Sequence, residues 1–307
     1  MTDYIKMIRI DHWIKNLFIF PGVLLAFLIF DIKANIIYLQ SISLAFIASS
    51  LIASSNYLIN EWLDRHNDAK HPDKKNRPAV TGKIKFSYVI IFYITLLASG
   101  LLCAYLINFY CFISCLFFSI SGIIYNVKPI RAKDISVIDV LVESFNNPIR
   151  LYIGWFAVTT NALIPLSLVL AYWFFGAFLM NCKRITDFNK FDSFNERKLF
   201  RPSLSSYNLN LLYVLALIYS TLSTSFFMTF AVRYKIEMII LLPLIVFVYS
   251  VYFLNSLSNN SMASKPEKIM RSKKFLSLLL FIIIIFYLLL NFEFEFLNDL
   301  IYYAIEI

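Results

Sequence analysis

The sequence has little of what soluble nucleotide-binding and metal-binding proteins require. It contains only six glycines and neither a GxGxxG nor a GxxxxGK[ST] pattern, which excludes a soluble nucleotide-binding domain. No CxxC pair occurs among the four cysteines, Cys103, Cys111, Cys115 and Cys182. The histidines are equally scattered, at His12, His66 and His71. We therefore expect no disulfide or zinc site, and we interpret the cysteines as small packing residues.

Charge is also scarce: 15% of the 307 residues are charged and 60% are hydrophobic. Apolar runs of about 20 residues, the length that crosses a bilayer, recur along the chain. We predict spans at 17–32, 37–60, 87–107, 109–126, 136–158, 163–181, 209–231, 237–257 and 275–292. No removable signal peptide is expected. The composition indicates an all-α, multi-pass membrane protein of about nine helices, in a single domain, 1–307.

The basic residues lie almost entirely on one side of these spans. Of the 28 lysines and arginines, all except Lys33, Arg150, Arg233 and Lys235 precede the first span or follow the even-numbered ones. Because basic loops stay inside, the N-terminus and these loops are predicted to be cytoplasmic. This asymmetry explains most of the net charge of +9, so no nucleic-acid partner is expected.

The most polar stretch, from Ser54 to Gly82, follows the second span directly. Asn60, Asp64 and Asp68 recur every four residues, so a helix would place them on one stripe, with Glu61 beside it. Carboxylates in such a stripe repel each other unless a cation lies between them, and hard oxygen ligands suit Mg²⁺. Pro72 is predicted to stop this helix. The loop there is basic, with Lys70, Lys74, Lys75, Arg77 and Lys83. The stretch predicts a Mg²⁺–diphosphate site, although the cations taken singly are also typical of a solvated loop that obeys topology.

Charged residues inside the fifth span need an explanation, because a charge in a bilayer is costly. Helical spacing puts them on one face: Asp139, Glu143, Asn146, Asn147 and Arg150. They are either a polar wall below the metal site or a Glu143–Arg150 ion pair that only fixes packing. Polar residues at the ends of other spans add candidates for phosphate binding: Lys15, Asn16, Tyr125, Lys128, Lys183, Arg184 and Asp187.

The pattern SxxYxxNExxDxxxDxxHPxKxxRPxxxG at 54–82 resembles the UbiA-type intramembrane prenyltransferase superfamily, which carries NDxxDxxxD at this place. Five features resemble its decaprenyl-phosphate phosphoribosyltransferase branch. They are HPxKxxRP, WIKN at Trp13–Asn16, Tyr125 with Lys128, VIDV at 137–140 and KRxxD at 183–187. There are two departures: Glu61 stands where an Asp is usual, and Asp187 where that branch tends to have Glu.

The resemblance implies a nine-helix bundle with a central cavity that opens to the cytoplasmic side. It also implies transfer of 5-phosphoribosyl from phosphoribosyl diphosphate to a polyprenyl phosphate, with Mg²⁺ as cofactor, in cell-envelope glycan precursor synthesis. Asn60, Asp64 and Asp68 would be catalytic, and the implied metal ligands are Asn60, Glu61, Asp64 and Asp68. Substrate-binding residues would be Lys15, Asn16, Tyr57, Lys74, Arg77, Tyr125, Lys128, Arg150, Lys183, Arg184 and Asp187.

Two other functions stay open. A prenyltransferase that joins a prenyl diphosphate to an aromatic acceptor would carry DxxxD in the second polar loop, whereas here Asp187 and Asp192 are one residue too far apart. A non-catalytic lipid-binding or scaffold protein would not explain the four-spaced acids.

The predicted topology can be tested with single cysteines. A cysteine replacing Tyr234 should react with an impermeant thiol reagent from outside the cell, because the loop there is predicted to be external. A cysteine replacing Lys190 should react only after permeabilisation. The opposite labelling pattern would reverse the predicted orientation.

Overall fold

The computed structural model describes residues 2–33, 35–69, 74–82 and 84–258, and then 277, 281, 284–289 and 291–296. Regular secondary structure in these ranges is helical throughout. The α-helices are α1 Thr2–Ile8, α2 Phe20–Ile29, α3 Ile36–Asp68, α4 Phe86–Ile107, α5 Phe109–Asn126, α6 Ile138–Phe156, α7 Leu166–Asn189, α8 Phe194–Phe200, α9 Leu209–Tyr234 and α10 Leu242–Ser256. Short 3₁₀ segments lie at Ile10–Ile19, Ala132–Asp134, Pro202–Ser206 and Ile236–Leu241.

The helices confirm the membrane class. Seven segments within the described ranges are long and apolar enough to cross a bilayer, so this is an integral membrane protein. Each predicted span up to residue 257 corresponds to a helix. The charged α6 is not among the seven. Of the predicted span at 275–292, the structure describes residues 277, 281, 284–289, 291 and 292, and all of these except residue 292 are helical.

Helix α3 is longer than the hydropathy predicts. It begins at Asn35, whose side chain accepts hydrogen bonds from the amides of Ile37 and Tyr38 at 2.9 and 3.1 Å, and it continues to Asp68. The predicted span ended at residue 60. The polar continuation stays helical and puts Asn60, Asp64 and Asp68 on one face of one helix, as the spacing predicts. Pro72, predicted to stop this helix, lies outside the described residues.

The chain divides into two compact units. The first comprises Met1–Ile164 and Phe191–Asn208. Within it, two glycines allow α6 to pack backbone to backbone against the N-terminal segment. A Cβ at Gly154 would overlap the carbonyl oxygen of Ile19, and one at Gly22 would overlap that of Leu151. This close approach brings the polar face of α6 to Asn16, whose Oδ1 accepts a hydrogen bond from Arg150 Nε at 2.9 Å.

Asp139 anchors the 191–208 segment to the first unit. Its side chain is fully buried and accepts three hydrogen bonds from that segment: from Arg201 Nη1 at 3.2 Å, Ser203 Oγ at 3.1 Å and the Tyr207 hydroxyl at 2.7 Å. A buried carboxylate is stable only when it is paired and hydrogen-bonded. Asp139, the first charged residue of the predicted polar wall, therefore holds the 191–208 segment in place.

The second unit comprises Pro165–Lys190 and Leu209–Ile307. Helix α7 packs against α9 and α10 through aromatic rings and a few buried hydroxyls. Ser223 donates to the carbonyl of Ala171 at 2.7 Å and accepts from the Tyr249 hydroxyl at 2.6 Å. The ring of Tyr249 meets that of Phe178 edge to face, with centroids 4.7 Å apart.

Removing the Asp139 carboxylate should destabilise the protein. Asp139→Ala removes the acceptor of three hydrogen bonds at once, and each bond to a charged group contributes about 1.5–3 kcal/mol. We expect a lower midpoint in a thermal melt of the detergent-solubilised protein and faster proteolysis between residues 191 and 208. Asp192→Ala, an exposed carboxylate in the same segment, is the matched control. Equal melting midpoints for the two variants would contradict an anchoring role for Asp139.

Candidate active site

Two residues of the α3 stripe, Asn60 and Asp64, share one ammonium group. Lys133, from the loop between α5 and α6, lies with its Nζ 2.7 Å from Asn60 Oδ1 and 2.6 Å from Asp64 Oδ1. The Oδ1 of Asn126, the last residue of α5, is 3.2 Å from the same Nζ. Three hard oxygens from two helices thus surround one cation position.

Asp64 is paired a second time, with Arg131. Arg131 Nη2 lies 2.7 Å from Asp64 Oδ1, and its Nε lies 2.6 Å from Asp134 Oδ2. From the sequence alone, Arg131 and Lys133 are explained by membrane topology only. The signal that would have found them is charge matching, because a four-spaced acid stripe requires cations from another element.

Asp68, one turn further along, takes its cations from the loop that follows α3. Arg77 Nη1 lies 2.6 Å from Asp68 Oδ2, and Lys74 Nζ lies 3.7 Å from Oδ1. Burial lowers the pKa of Lys74 to about 8, although the Asp68 carboxylate acts to raise it. Burial likewise lowers the pKa of Lys133 to about 8 against the raising effect of Asp64. Both predicted loop residues, Lys74 and Arg77, are therefore at the stripe.

Glu61 has partners of its own. It is 2% exposed, its Oε2 lies 2.9 Å from Arg9 Nη2, and its Oε1 is 3.5 Å from the backbone nitrogen of Ala79. The Arg9 guanidinium also lies 5.6 Å from the ring centre of Tyr57. Glu61 thus joins the N-terminal segment, α3 and the loop after α3. Its role as a metal ligand stays a prediction.

The polar residues of α6 contact α5 and the N-terminal segment. Glu143 Oε2 accepts from the Tyr125 hydroxyl at 2.8 Å, and that hydroxyl lies 2.9 Å from Arg201 Nη2. Arg150 donates to Asn16, as described above, and its Nη1 lies 3.3 Å from the carbonyl of Asn146. The predicted polar wall is therefore a set of hydrogen bonds between helices.

The remaining predicted residues are divided between the first unit and the second. Lys15 is half-buried and Lys128 is exposed. In the second unit, Asp187 Oδ1 lies 3.2 Å from Lys190 Nζ, and its Oδ2 lies 3.7 Å from Arg184 Nη1. Arg184 is 1% exposed. Two cations thus flank the one carboxylate of the KRxxD motif.

A family model described as the UbiA prenyltransferase family matches residues 18–279. The chain belongs to the UbiA prenyltransferase family. One solved UbiA homolog, from Archaeoglobus fulgidus and bound to DMAPP and Mg²⁺, superposes with a TM-score of 0.67 at 23% identity, over 90% of this chain and 97% of that one. At that identity the likeness establishes the UbiA fold alone.

Curated relatives of this UbiA chain have mixed activities. Nodulation protein NoeC from Azorhizobium caulinodans is 31% identical over 33% of this chain and 31% of that protein. Decaprenyl-phosphate phosphoribosyltransferase from Mycolicibacterium smegmatis is 35% identical over 27% of this chain and 26% of that enzyme. Protoheme IX farnesyltransferase from Listeria monocytogenes is 25% identical over 55% of this chain and 56% of that enzyme. The match spans 31% or less of the length of the first two relatives.

The donor set of this UbiA chain fits Mg²⁺. Amide and carboxylate oxygens of Asn60, Asn126 and Asp64 converge on one cation position, and such oxygens are the ligands Mg²⁺ prefers when phosphates complete its shell. Within the described ranges, no three His, Cys, Asp or Glu residues are grouped as a metal site. Asp64 and Asp68 are instead each paired with basic side chains.

Neutralising either acid should remove activity. Asp64→Asn and Asp68→Asn keep the side-chain volume but lose the charge, so we expect transferase rates to fall by more than about tenfold, or roughly 1.4 kcal/mol of barrier. The midpoint Mg²⁺ concentration for thermal protection should rise as well. Asp11→Ala, at an exposed carboxylate near the N-terminus, is the control. Near-wild-type rates in both Asn variants would rule out an essential ligand role.

Proposed function

We propose that the protein transfers the 5-phosphoribosyl group of phosphoribosyl diphosphate to a polyprenyl phosphate such as decaprenyl or undecaprenyl phosphate. Inorganic diphosphate is released, Mg²⁺ is the cofactor, and the product feeds cell-envelope glycan synthesis. The proposed location is the cytoplasmic face of a bacterial inner membrane, with residues 1–307 acting as one domain. The observation that carries the proposal is the double pairing of Asp64 with Arg131 and Lys133, in a site that also holds Lys74 and Arg77.

These cations suit a substrate that is rich in phosphate. When the donor binds, the carboxylates can exchange their basic partners for the metal, which frees the ammonium and guanidinium groups for phosphate oxygens. Arginine grips phosphate with two parallel hydrogen bonds and lysine acts as a point charge. When bound, Mg²⁺ neutralises the charge that develops on the departing diphosphate.

The reaction needs no base from the protein. The bond between the anomeric carbon and the diphosphate oxygen breaks, and diphosphate leaves with the electron pair. An oxygen of the polyprenyl phosphate forms the new bond to that carbon. Because the acceptor oxygen is already anionic, no proton has to be removed. The work left to the protein is positioning and electrostatic stabilisation, which acid, cation and hydroxyl groups supply.

The second polar loop also supports a phosphate-bearing acceptor. Asp187 is flanked by Arg184 and Lys190, and Asp192 is exposed and out of step with a DxxxD pattern. We propose that Lys183 and Arg184 of the second unit bind a substrate phosphate, either that of the lipid or the ribose 5-phosphate. Lys15, in the first unit, is proposed separately as a phosphate-binding residue.

A second candidate is transfer of a prenyl group from a prenyl diphosphate to an aromatic or other acceptor. Two observations favour it: the similarity to protoheme IX farnesyltransferase, which covers more of the chain than the phosphoribosyltransferase match, and the prenyl diphosphates named for solved homologs, such as GPP. The acid stripe alone serves either donor, since both carry a diphosphate.

Labelled donors separate the two functions. Membranes containing the protein are incubated with Mg²⁺, polyprenyl phosphate and phosphoribosyl diphosphate labelled in the ribose, and the organic phase is examined for labelled lipid. A parallel reaction receives labelled farnesyl diphosphate with an aromatic acceptor, and Asp64→Asn membranes are the blank. We expect labelled lipid only from the ribosyl donor, and only with Mg²⁺. Product from the prenyl donor alone would replace the proposal by the second candidate.

A further inference from the structure

Three buried side-chain oxygens of the first unit have no hydrogen-bond partner among the described residues. They belong to three helices: Asn56 Oδ1 on α3, Ser121 Oγ on α5 and Asn146 Oδ1 on α6. In a membrane protein no bulk water is at hand to satisfy such groups, so each unpaired acceptor requires an explanation.

The orientations of both amides leave their oxygens as the free atoms. Asn56 Nδ2 lies 3.3 Å from the carbonyl of Phe118, and Asn146 Nδ2 lies 3.1 Å from the carbonyl of Glu143. Each side chain therefore donates to a backbone carbonyl and presents a hydrogen-bond acceptor. The hydroxyl of Ser121 can accept as well.

The contacts of α5 and α6 place these atoms at one level. The Arg150 guanidinium lies 4.6 Å from the ring centre of Phe118, and the Tyr125 hydroxyl bonds to Glu143. The two helices are thus antiparallel, and Ser121, which lies between Phe118 and Tyr125 on α5, is level with the stretch of α6 from Glu143 to Arg150 that contains Asn146. Ser121 is the neighbour of Gly122.

Helix α3 reaches the same level through Asn56. A Cβ at Gly122 would overlap the Asn56 amide, so the glycine is what allows that side chain to lie between the helices. Asn60 is four residues beyond Asn56 on α3, and Asn126 is four residues beyond Gly122 on α5. The side chains of Asn60 and Asn126 both accept a hydrogen bond from Lys133. The three oxygens therefore lie about 6 Å, or one helical turn, nearer the middle of α3 than the cation position. We call Asn56, Ser121 and Asn146 the acceptor layer.

We propose that the acceptor layer binds the hydroxyl groups of the sugar that is transferred, and so selects a sugar diphosphate over a prenyl diphosphate. This rests on the proposed function. A diphosphate at Asn60 and Asp64 places the group attached to it one turn deeper, at the layer. A ribose offers O–H donors there, which satisfy the amide oxygens. A prenyl chain has no donor and leaves them unpaired, and a site with unpaired polar groups discriminates strongly against such a ligand.

The test compares two ligands that differ in the sugar. Binding of phosphoribosyl diphosphate and of inorganic diphosphate, each with Mg²⁺, is measured by calorimetry on the purified protein for Asn56→Leu, Asn146→Leu and Ser121→Ala. Ser119→Ala is the matched control, because it removes a buried hydroxyl of α5 that donates to the Leu116 carbonyl. Asn56→Asp, which keeps an acceptor, tests rescue.

We expect each Leu variant to bind phosphoribosyl diphosphate about tenfold more weakly, the effect of one hydrogen bond, with binding of diphosphate unchanged. Ser119→Ala should match wild type, and Asn56→Asp should bind the sugar donor better than Asn56→Leu. Equal losses for both ligands, or lower thermal stability with an unchanged ratio of affinities, would overturn the proposal, because the oxygens would then hold ordered water only. If wild type binds diphosphate but neither binds nor uses the sugar donor, the proposed function and the acceptor layer both fail.

Discussion

The pairing of Asp64 with Lys133 and Arg131 is the interaction on which the rest of the site depends. A helix that carries an amide and two carboxylates at four-residue steps cannot continue past the membrane surface without compensation, since like charges at that spacing repel. Lys133 and Arg131 provide it for Asp64, and Arg77 with Lys74 provides it for Asp68. The loop between α3 and α4 and the loop between α5 and α6 are consequently held against α3.

The same pairing explains how one site can suit both a metal and phosphates. As proposed above, a divalent cation held by the acids would leave their basic partners available to phosphate oxygens. Burial lowers the pKa values of Lys133 and Lys74 to about 8, and the carboxylates of Asp64 and Asp68 act to raise them.

Local patterns predicted most of the fold, and long-range contacts account for what they missed. Hydropathy placed α4 and α5 almost to the residue, because apolar runs and helices coincide there. Hydropathy predicted the end of α3 too early, because the cations that stabilise the polar turns of this helix come from other segments. Arg131 and Lys133 were missed as site residues for the same reason: their partners are about 70 residues away. The orphaned oxygens of Asn56 and Asn146 can be recognised only once the helices are in register.

The anchoring of the 191–208 segment by Asp139 has a consequence for how the chain is made. That segment completes the first unit, yet in the chain it follows α7, which belongs to the second. During synthesis, the hydrogen bonds from Arg201, Ser203 and Tyr207 to Asp139 can therefore form only after α7 has been made. The first unit can therefore be completed only after part of the second unit has been synthesised.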